Sequence, residues 1–200
     1  MSGKVMPPGP VTAGLRIGLL GGSFNPAHEG HVHASKLALE QLKLDYVWWL
    51  VSPQNPLKGK QEMAPLIWRY TMAKNGVKDP RIRVSDIEKA LGTRYTVDTL
   101  AALKKRFPGV HFIWLMGSDT FVQFPKWKRW QDIFQLAPIA VVPRPGTTQQ
   151  ARRSIPAQVF KKNRVLPKEL PDEAPGWTVL SGRGVPASST EIRRHASWNR

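Results

Sequence analysis

The residue types best suited to chemistry lie in one short segment, which has two glycines at its start and two histidines at its end. Residues 21–31 read GGSFNPAHEGH. Glycines allow a backbone to approach a ligand closely, and the start of a helix offers unpaired N–H groups with a partial positive charge. On the first turn of a helix, His28 and His31 would share one face because they are three residues apart. The segment therefore predicts an anion site, in which two imidazoles donate hydrogen bonds to phosphate oxygens.

Other interpretations of this segment remain open. Paired glycines can simply form a turn after a strand, and paired histidines are often structural. A metal site of His28, His31 and His33 would not match the zinc helix with the pattern HExxH, whose histidines are four residues apart. The chain has no cysteine to complete such a site, so we predict no metal ligands among its side chains. Neither the dinucleotide pattern GxGxxG nor the phosphate-loop pattern GxxxxGK(S/T) occurs.

The elements that must position this segment alternate between strands and helices. Apolar runs predict strands at residues 15–20, 46–51, 81–84, 111–116, 139–142 and 177–180. Helical spacing predicts helices at residues 30–42, 63–77, 96–107, 131–136 and 189–196. Residues 144–175, rich in proline and basic groups, predict a loop region with a poorly defined helix near 157–161. The alternation is typical of an α/β fold with a doubly wound, Rossmann-like parallel sheet and helices on both faces, which binds ligands beyond the carboxyl ends of its strands.

The composition narrows the classes of protein to which the chain can belong. It has 200 residues, 41% of them hydrophobic, and this predicts a core rather than wholesale disorder. Residues 1–13 predict a flexible tail without a secretory signal, and residues 14–200 predict a single domain. No apolar run approaches the length of a membrane span, so we expect a cytoplasmic protein with no membrane contact. The net charge of +16 favours anionic partners, which could be nucleic acid, anionic lipid or small phosphorylated substrates.

Three further segments have polar groups at the ends of predicted strands or the starts of predicted helices. The last predicted helix begins with small hydroxyl residues and has an arginine one turn later, a set made of Ser188, Ser189, Thr190 and Arg193. Such residues are typical of a helix cap, and they also suit a second anion site. Gly117 and Asp119 close a predicted strand, where this pair is often only a turn. Thr96 is predicted to be the N-cap of its helix.

His28-Glu29-Gly30-His31 fits the pattern His/Thr-x-Gly-His, and the segment around it resembles the signature of the nucleotidyltransferase superfamily. More closely, the chain is similar to bacterial nicotinate-nucleotide adenylyltransferases. The further matching motifs, in the order of that family, are WWLVSPQNPLK (48–58), RYTVDTL (94–100), GSD (117–119), FPKWKRW (124–130), VVPRPG (141–146) and SSTEIR (188–193). This ordered set is more specific than the first motif alone. The chain departs from the family at Asn25, where aspartate is more frequent, and it ends at Arg200, where many relatives continue.

The resemblance implies a nucleotidyltransferase fold and the transfer of the adenylyl group of ATP to nicotinate mononucleotide, in NAD biosynthesis. His28 and His31 would then be the catalytic residues. The residues assigned to ATP are Gly21, Gly22, Ser23, Phe24, His28, His31, Gly117, Asp119, Ser188, Ser189, Thr190 and Arg193. The residues assigned to nicotinate mononucleotide are Asn25, Asn55, Lys58, Tyr95, Thr96, Trp127 and Arg144. Mg²⁺ is expected on the ATP phosphates, held mainly by phosphate and water.

Two alternatives belong to other classes of function. A sister nucleotidyltransferase could use nicotinamide mononucleotide or another phosphate acceptor, although a phosphopantetheine enzyme would not require RYTVDTL or FPKWKRW. A basic nucleic-acid-binding protein would concentrate its charge on one helix or between aromatic residues, whereas here the basic residues are dispersed. We therefore predict ATP and nicotinate mononucleotide as partners and no nucleic acid. The oligomeric state is left open by the sequence.

Overall fold

The strands follow the apolar runs of the sequence closely. The computed structural model describes residues 5–53 and 63–195, and all statements about structure concern those residues. The strands are β1 (Arg16–Gly22), β2 (Tyr46–Val51), β3 (Ile82–Ser85), β4 (His111–Gly117), β5 (Ile139–Val142) and β6 (Trp177–Val179). Their inner residues are almost entirely buried, as expected for parallel strands covered on both faces. The strand predictions are thus confirmed, with shifts of one or two residues at their ends.

The helices cover both faces of the sheet. They are α1 (Glu29–Gln41), α2 (Leu66–Gly76), α3 (Ile87–Leu91), α4 (Thr96–Arg106), α5 (Ser118–Gln123), α6 (Trp130–Leu136), α7 (Thr148–Arg153), α8 (Ile155–Val159) and α9 (Ser189–His195). Short 3₁₀ turns lie at Phe124–Lys126, Lys161–Asn163 and Pro167–Glu169. The fold is therefore the predicted α/β architecture, with α3, α5 and α7 added to the helices expected from the sequence.

The described strands form one parallel sheet whose order places the predicted site at its centre. The order is β3-β2-β1-β4-β5-β6, and each neighbouring pair is parallel. The chain leaves β1 toward one edge of the sheet and later returns to the other side of β1 through β4. A crevice opens beyond the carboxyl ends of two such strands, because their connections run to opposite faces. The segment after β1 and the segment after β4 line this crevice.

A separate hydrophobic cluster lies on each face of the sheet. One includes Trp48 and Trp114, and the other includes Trp49 and the apolar residues of α1. These three indole rings are at most 2% exposed, so they belong to the core. Outside the sheet, Val5 and Val11 pack against the first cluster, although residues 5–13 contain no helix or strand. No helix of the described residues is long and apolar enough to span a membrane.

Two details of the local structure differ from the sequence predictions. Thr96 was expected to cap its helix, but the N-cap is Tyr95 and Thr96 is the first helical residue. Residues 144–175 were expected to be mainly loop, but they contain α7, α8 and two 3₁₀ turns. Ala151 and Ala157 in these helices are buried against the first cluster. Packing of these small side chains stabilises helices whose periodicity in the sequence is weak.

Candidate active site

The predicted histidine pair lies at the start of α1. His28 is the N-cap, with extended backbone angles (φ −149°, ψ 171°), and its Nδ1 accepts a hydrogen bond from the N–H of Gly30 at 3.1 Å. In return, Nδ1 of His31 accepts the N–H of His28 at 3.2 Å. The two ring centroids are 3.9 Å apart. The arrangement is a capping box in which histidines replace the usual hydroxyl and carboxylate.

These two hydrogen bonds determine which nitrogen each ring offers to a ligand. A neutral imidazole carries one proton, and a nitrogen that accepts an N–H cannot carry it. Because Nδ1 is the acceptor in both rings, the proton of each neutral ring resides on Nε2. His28 and His31 can therefore each present an Nε2–H donor to a ligand.

Both rings are held neutral near pH 7. Burial, followed by the positive charge of Arg144, lowers the pKa of His28 from 6.5 to about 4. Burial is also the main reason that the pKa of His31 lies well below 6.5, and the charges of His28 and Arg144 lower it further. A neutral ring with Nε2–H suits a hydrogen-bond donor to phosphate and does not suit a general base that must accept a proton through Nε2.

Gly30 allows the histidines and Arg144 to approach each other. A Cβ at this position would lie 3.0 Å from the Nδ1 and Cε1 atoms of His28 and 3.0 Å from an Nη atom of Arg144. Any larger residue would push the ring and the guanidinium apart. Glycine is thus required at this position of the His-x-Gly-His pattern, because the His28 ring and the Arg144 guanidinium occupy the space that a side chain would need.

Arg144 connects the site to two other segments. It follows β5, and its backbone N–H donates to the hydroxyl of Ser118 at 3.0 Å. Its guanidinium donates to the carbonyl of Ala187 at 2.9 Å. A groove of about 800 Å³ lies beside it, between the start of α7 and residues 180–186, and a second groove of about 560 Å³ borders His28. Both volumes lie in the range of small-molecule sites.

The loop between β1 and α1 rests on an aromatic base. Phe24 has a left-handed backbone (φ 46°), which is unusual for a residue with a side chain, and its ring is buried. That ring stacks on Trp49 at 5.0 Å and contacts His31 at 4.6 Å between centroids. Any contact between Phe24 and ATP would therefore involve its backbone. At the start of the loop, Gly21 leaves room for Trp114, whose ring atoms would lie 2.6 Å from a Cβ.

The start of α9 docks on this same loop. The hydroxyl of Ser189 donates to the carbonyl of Pro26 at 2.9 Å. The guanidinium of Arg193 donates to the carbonyl of Asn25 and contacts the hydroxyl of Thr190 at 3.3 Å. The two segments that the sequence suggested as separate anion sites thus lie against each other, more than 160 residues apart in the chain. The amide side chain of Asn25 is buried and accepts the N–H of Ala64 at 3.4 Å.

The end of β4 forms the opposite side of the crevice. A Cβ on Gly117 would lie 2.3 Å from a carboxylate oxygen of Asp119 and 3.3 Å from the side chain of Arg144. Ser118 is fully buried and its hydroxyl lies 2.7 Å from that of Thr147. Asp119 is exposed at the start of α5. Glycine at position 117 therefore lets a carboxylate and an arginine face the histidine segment.

The start of α4 differs, because it has no side-chain cap. Its N-cap is Tyr95, and no side chain accepts the first N–H groups of the helix. Lys128 lies over the Tyr95 ring, 4.2 Å from its centroid, and pairs with Asp98 at 3.8 Å. Trp127 is partly buried and meets Phe124 edge-on, 5.2 Å between centroids. The structure thus leaves backbone donors at Thr96 beside a surface with positive charge and aromatic rings.

Comparison with known proteins identifies the family. Residues 19–195 match the family described as Cytidylyltransferase-like. The chain belongs to this family. It is 53% identical over 194 residues to a protein of Parvibaculum lavamentivorans named "Probable nicotinate-nucleotide adenylyltransferase", covering 94% of this chain and 96% of that one. A protein of Cereibacter sphaeroides with the same name is 48% identical over 183 residues, covering 91% and 98%.

Solved structures agree with the fold. The nicotinic acid mononucleotide adenylyltransferase of Plasmodium falciparum, complexed with NaAD, superposes with a TM-score of 0.71. The match covers 93% of this chain and 86% of the other at 18% identity. At that level of identity the similarity concerns the fold, which is the nucleotidyltransferase type expected from the sequence.

Arg69 is a site-supporting residue that the sequence analysis missed. Its side chain is 1% exposed and donates to the carbonyls of Ser23, Ser52 and Pro53 at 2.6 to 3.3 Å, as well as to that of Ala64 at 2.8 Å. It thereby ties the loop after β1 to the segment after β2. Burial lowers the pKa of its guanidinium. In the sequence nothing distinguishes this arginine from the exposed ones, because its acceptors come from three separate segments.

Two predicted residues, Asn55 and Lys58, lie outside the described residues. In the part of the chain that is described, no group of three or more His, Asp or Glu side chains is arranged to hold a metal ion.

Proposed function

We propose that this protein transfers the adenylyl group of ATP to nicotinate mononucleotide, producing deamido-NAD and pyrophosphate. The observation that carries the proposal is the pair of neutral imidazoles at the start of α1, each able to donate through Nε2–H beside Arg144. The names of relatives that are 48% and 53% identical over nearly the whole chain support the choice of acceptor.

The reaction needs positioning and charge stabilisation more than proton transfer. A phosphate oxygen of the mononucleotide attacks the α-phosphorus of ATP in line, forming the new P–O bond as the bond to the bridging oxygen of the β-phosphate breaks. The electron pair of that bond leaves with pyrophosphate. Because the attacking oxygen is already anionic, no general base is required. Negative charge accumulates on the phosphates in the transition state, where donors of fixed geometry stabilise it most.

His28 and His31 supply such donors in this proposal. Their orientation is fixed by the reciprocal backbone hydrogen bonds before any substrate binds. Arg144 and Arg193 add positive charge on either side of the loop, and Ser189 holds the start of α9 against it. ATP would bind in the crevice between β1 and β4, against Gly21 and Gly22 on one side and Gly117 and Asp119 on the other.

The acceptor would bind at the start of α4. A carboxylate accepts two N–H groups well at the start of a helix, so the pyridine carboxylate suits the backbone of Tyr95 and Thr96. Trp127 would stack on the pyridine ring. A carboxamide is neutral and brings its own N–H donors, so this site would bind nicotinamide mononucleotide less tightly.

Mg²⁺ would enter with the ATP phosphates. The exposed carboxylate of Asp119, at the edge of the proposed ATP crevice, is an oxygen ligand of the kind that fits this ion. Mg²⁺ commonly keeps several waters and binds phosphate oxygens, and it would neutralise charge on the triphosphate.

The decisive experiment is product analysis after incubation with ATP, Mg²⁺ and each pyridine mononucleotide in turn. We expect deamido-NAD and pyrophosphate with the nicotinate compound and far slower turnover with the nicotinamide compound. Equal rates would remove the carboxylate argument at Tyr95 and Thr96. A sister enzyme would show its highest rate with a different phosphate acceptor.

Nucleic-acid binding is not favoured, because the residues of the proposed site suit a small nucleotide. A salt titration of DNA binding tests it, since many phosphate contacts would make the affinity fall steeply with salt. A location in the cytoplasm stays a prediction that cell fractionation can check.

A further inference from the structure

A buried carboxyl group lies behind the start of α4. Glu88, in α3, is 7% exposed, and its Oε1 lies 3.1 Å from the hydroxyl of Thr99 in α4. Thr99 is fully buried, and its hydroxyl lies 2.9 Å from that of Thr93. These three side chains connect α3, the turn before α4 and the second turn of α4.

The Thr99 hydroxyl is the centre of this group of hydrogen bonds. It lies within donor distance of Glu88 Oε1, of the Thr93 hydroxyl and of the Tyr95 carbonyl, and its single proton serves one of these acceptors at a time. The backbone adds two further links, because the N–H of Thr93 donates to the Glu88 carbonyl at 3.0 Å and the N–H of Thr99 donates to the Tyr95 carbonyl at 3.0 Å. Residues 93–95 are therefore held from both sides.

A group of this kind is costly for stability alone. Burial raises the pKa of Glu88 to about 7, and the hydrogen bond from Thr99 only partly offsets that effect. Burying an ionisable carboxyl group costs free energy that an apolar side chain of similar size would not cost. The arrangement suits a different purpose, because the Thr99 hydroxyl also lies 3.3 Å from the carbonyl of Tyr95, the N-cap residue of a helix that has no side-chain cap.

We propose that Glu88 and Thr99 are positioning residues that hold the turn at residues 93–95, so that the first N–H groups of α4 meet the carboxylate of nicotinate mononucleotide. The proposal rests on the proposed function of this site. It predicts that the hydroxyl of Thr99 affects binding of the mononucleotide and leaves ATP binding unchanged, because ATP would occupy the crevice at β1 and β4.

The test compares three variants of the whole chain by steady-state kinetics with ATP and nicotinate mononucleotide. Thr99→Val removes the hydroxyl at nearly constant volume, and Thr99→Ser restores it. Thr178→Val is the matched control, because Thr178 is also fully buried and its hydroxyl donates to the Val165 carbonyl at 2.8 Å, on the far strand β6. Calorimetric titration with nicotinate mononucleotide measures binding without turnover.

We expect Thr99→Val to raise the KM and the Kd for nicotinate mononucleotide about tenfold, the size of one hydrogen bond to a charged group. The KM of Thr99→Val for ATP should stay within about twofold of wild type, because a selective effect leaves the other substrate unchanged, whereas a general loss of stability would change both KM values. The KM of Thr99→Ser for nicotinate mononucleotide should be close to that of wild type. A Thr99→Val protein that matches Thr178→Val, or that shifts both KM values together, overturns the proposal. If Thr99→Val does not fold, Glu88→Leu combined with Thr99→Val removes both partners and must show the same selective change.

These measurements distinguish a failure of the positioning role from a failure of the proposed function. Wild-type protein that forms no dinucleotide from nicotinate mononucleotide contradicts the function itself. Wild-type protein that forms it, together with an unselective Thr99→Val variant, contradicts only the positioning role.

Discussion

The starts of α1 and α4 use the same backbone feature in opposite ways. At α1, the side chains of His28 and His31 accept the N–H groups of Gly30 and His28, so each ring presents its Nε2–H group as a donor. At α4, Tyr95 provides no side-chain cap, so the backbone N–H groups themselves remain as donors. The start of α1 therefore offers two side-chain donors to a ligand, whereas the start of α4 offers backbone N–H groups.

The difference matches the ligands proposed for each site. A reacting phosphate changes shape and charge during the reaction, and donors at the end of a ring extend farther from the backbone than N–H groups do. A pyridine carboxylate is planar and keeps its charge, so two adjacent backbone donors at a fixed spacing recognise it well. The supports also differ, since Arg144 and α9 surround the first site and the buried pair of Glu88 and Thr99 lies behind the second.

The largest effect is expected at α1. His31→Ala removes one fixed donor and should lower kcat about 10²–10³-fold while the fold persists, as measured by turnover and circular dichroism. His33→Ala is the matched control, because this nearby ring is hydrogen-bonded to the Arg183 carbonyl at 2.9 Å, outside the histidine pair. A folded His31→Ala enzyme with near-normal turnover would refute the role of the pair.

The buried carboxyl group of Glu88 should make the free energy of unfolding depend on pH. Glu88 has a folded pKa of about 7 against 4.5 unfolded, so its favourable contribution is complete below pH 4.5 and is lost as the pH rises to 7. Glu88→Gln cannot ionise. The free energy of unfolding of this variant, relative to wild type, should therefore rise by about 3 kcal/mol between pH 4.5 and pH 8. Denaturant titrations at the two pH values measure it, and a constant difference would contradict the buried carboxyl.

The open start of α4 can be tested by removing a single N–H. Tyr95 has φ −114° and ψ 143°, a conformation that suits the residue before a proline, and proline is tolerated at the first helical position. Thr96→Pro should therefore keep the helix and lower the preference for nicotinate over nicotinamide mononucleotide about tenfold, by kcat/KM. Thr96→Ala keeps the N–H and should keep the preference. Equal ratios in the two variants would show that this N–H does not bind the carboxylate.

The smallest effect concerns the neutral state of the α1 pair. Because the pKa of His28 is lowered to about 4, its ring resonances in the free enzyme should not move between pH 8 and pH 5.5 in an NMR titration. His28→Gln identifies the signals by their loss. Below pH 6.5 the ring of His28 binds a proton in the unfolded chain but not in the folded protein. Its contribution to the free energy of unfolding therefore decreases as the pH falls from 6.5 toward 4. A midpoint near 6.5 would mean that the folded ring is as easily charged as a free one.

Much of the architecture could be predicted because it depends on local patterns. Strands such as β2 and β4 are continuous apolar runs, and this pattern identifies buried parallel strands wherever they lie in the chain. The histidine motif was found for the same reason, since its spacing and its place after a strand are both visible in the sequence. The helix α7 was missed, and α8 was predicted only as a poorly defined helix, because small residues such as Ala151 and Ala157 are stabilised by packing and not by a strong periodicity.

The sequence by itself determined the order of elements, the parallel sheet and the histidine pair at the start of α1, because each depends on neighbours within a few residues. Only the tertiary structure decided which nitrogen of each imidazole faces a ligand, that Tyr95 and not Thr96 occupies the N-cap position of α4, and that Arg69, Glu88 and Thr99 support the site. Those properties depend on burial and on hydrogen bonds between distant segments. Such contacts exist only after the chain has folded, and they shift pKa values and satisfy donors in ways that residue order alone does not encode.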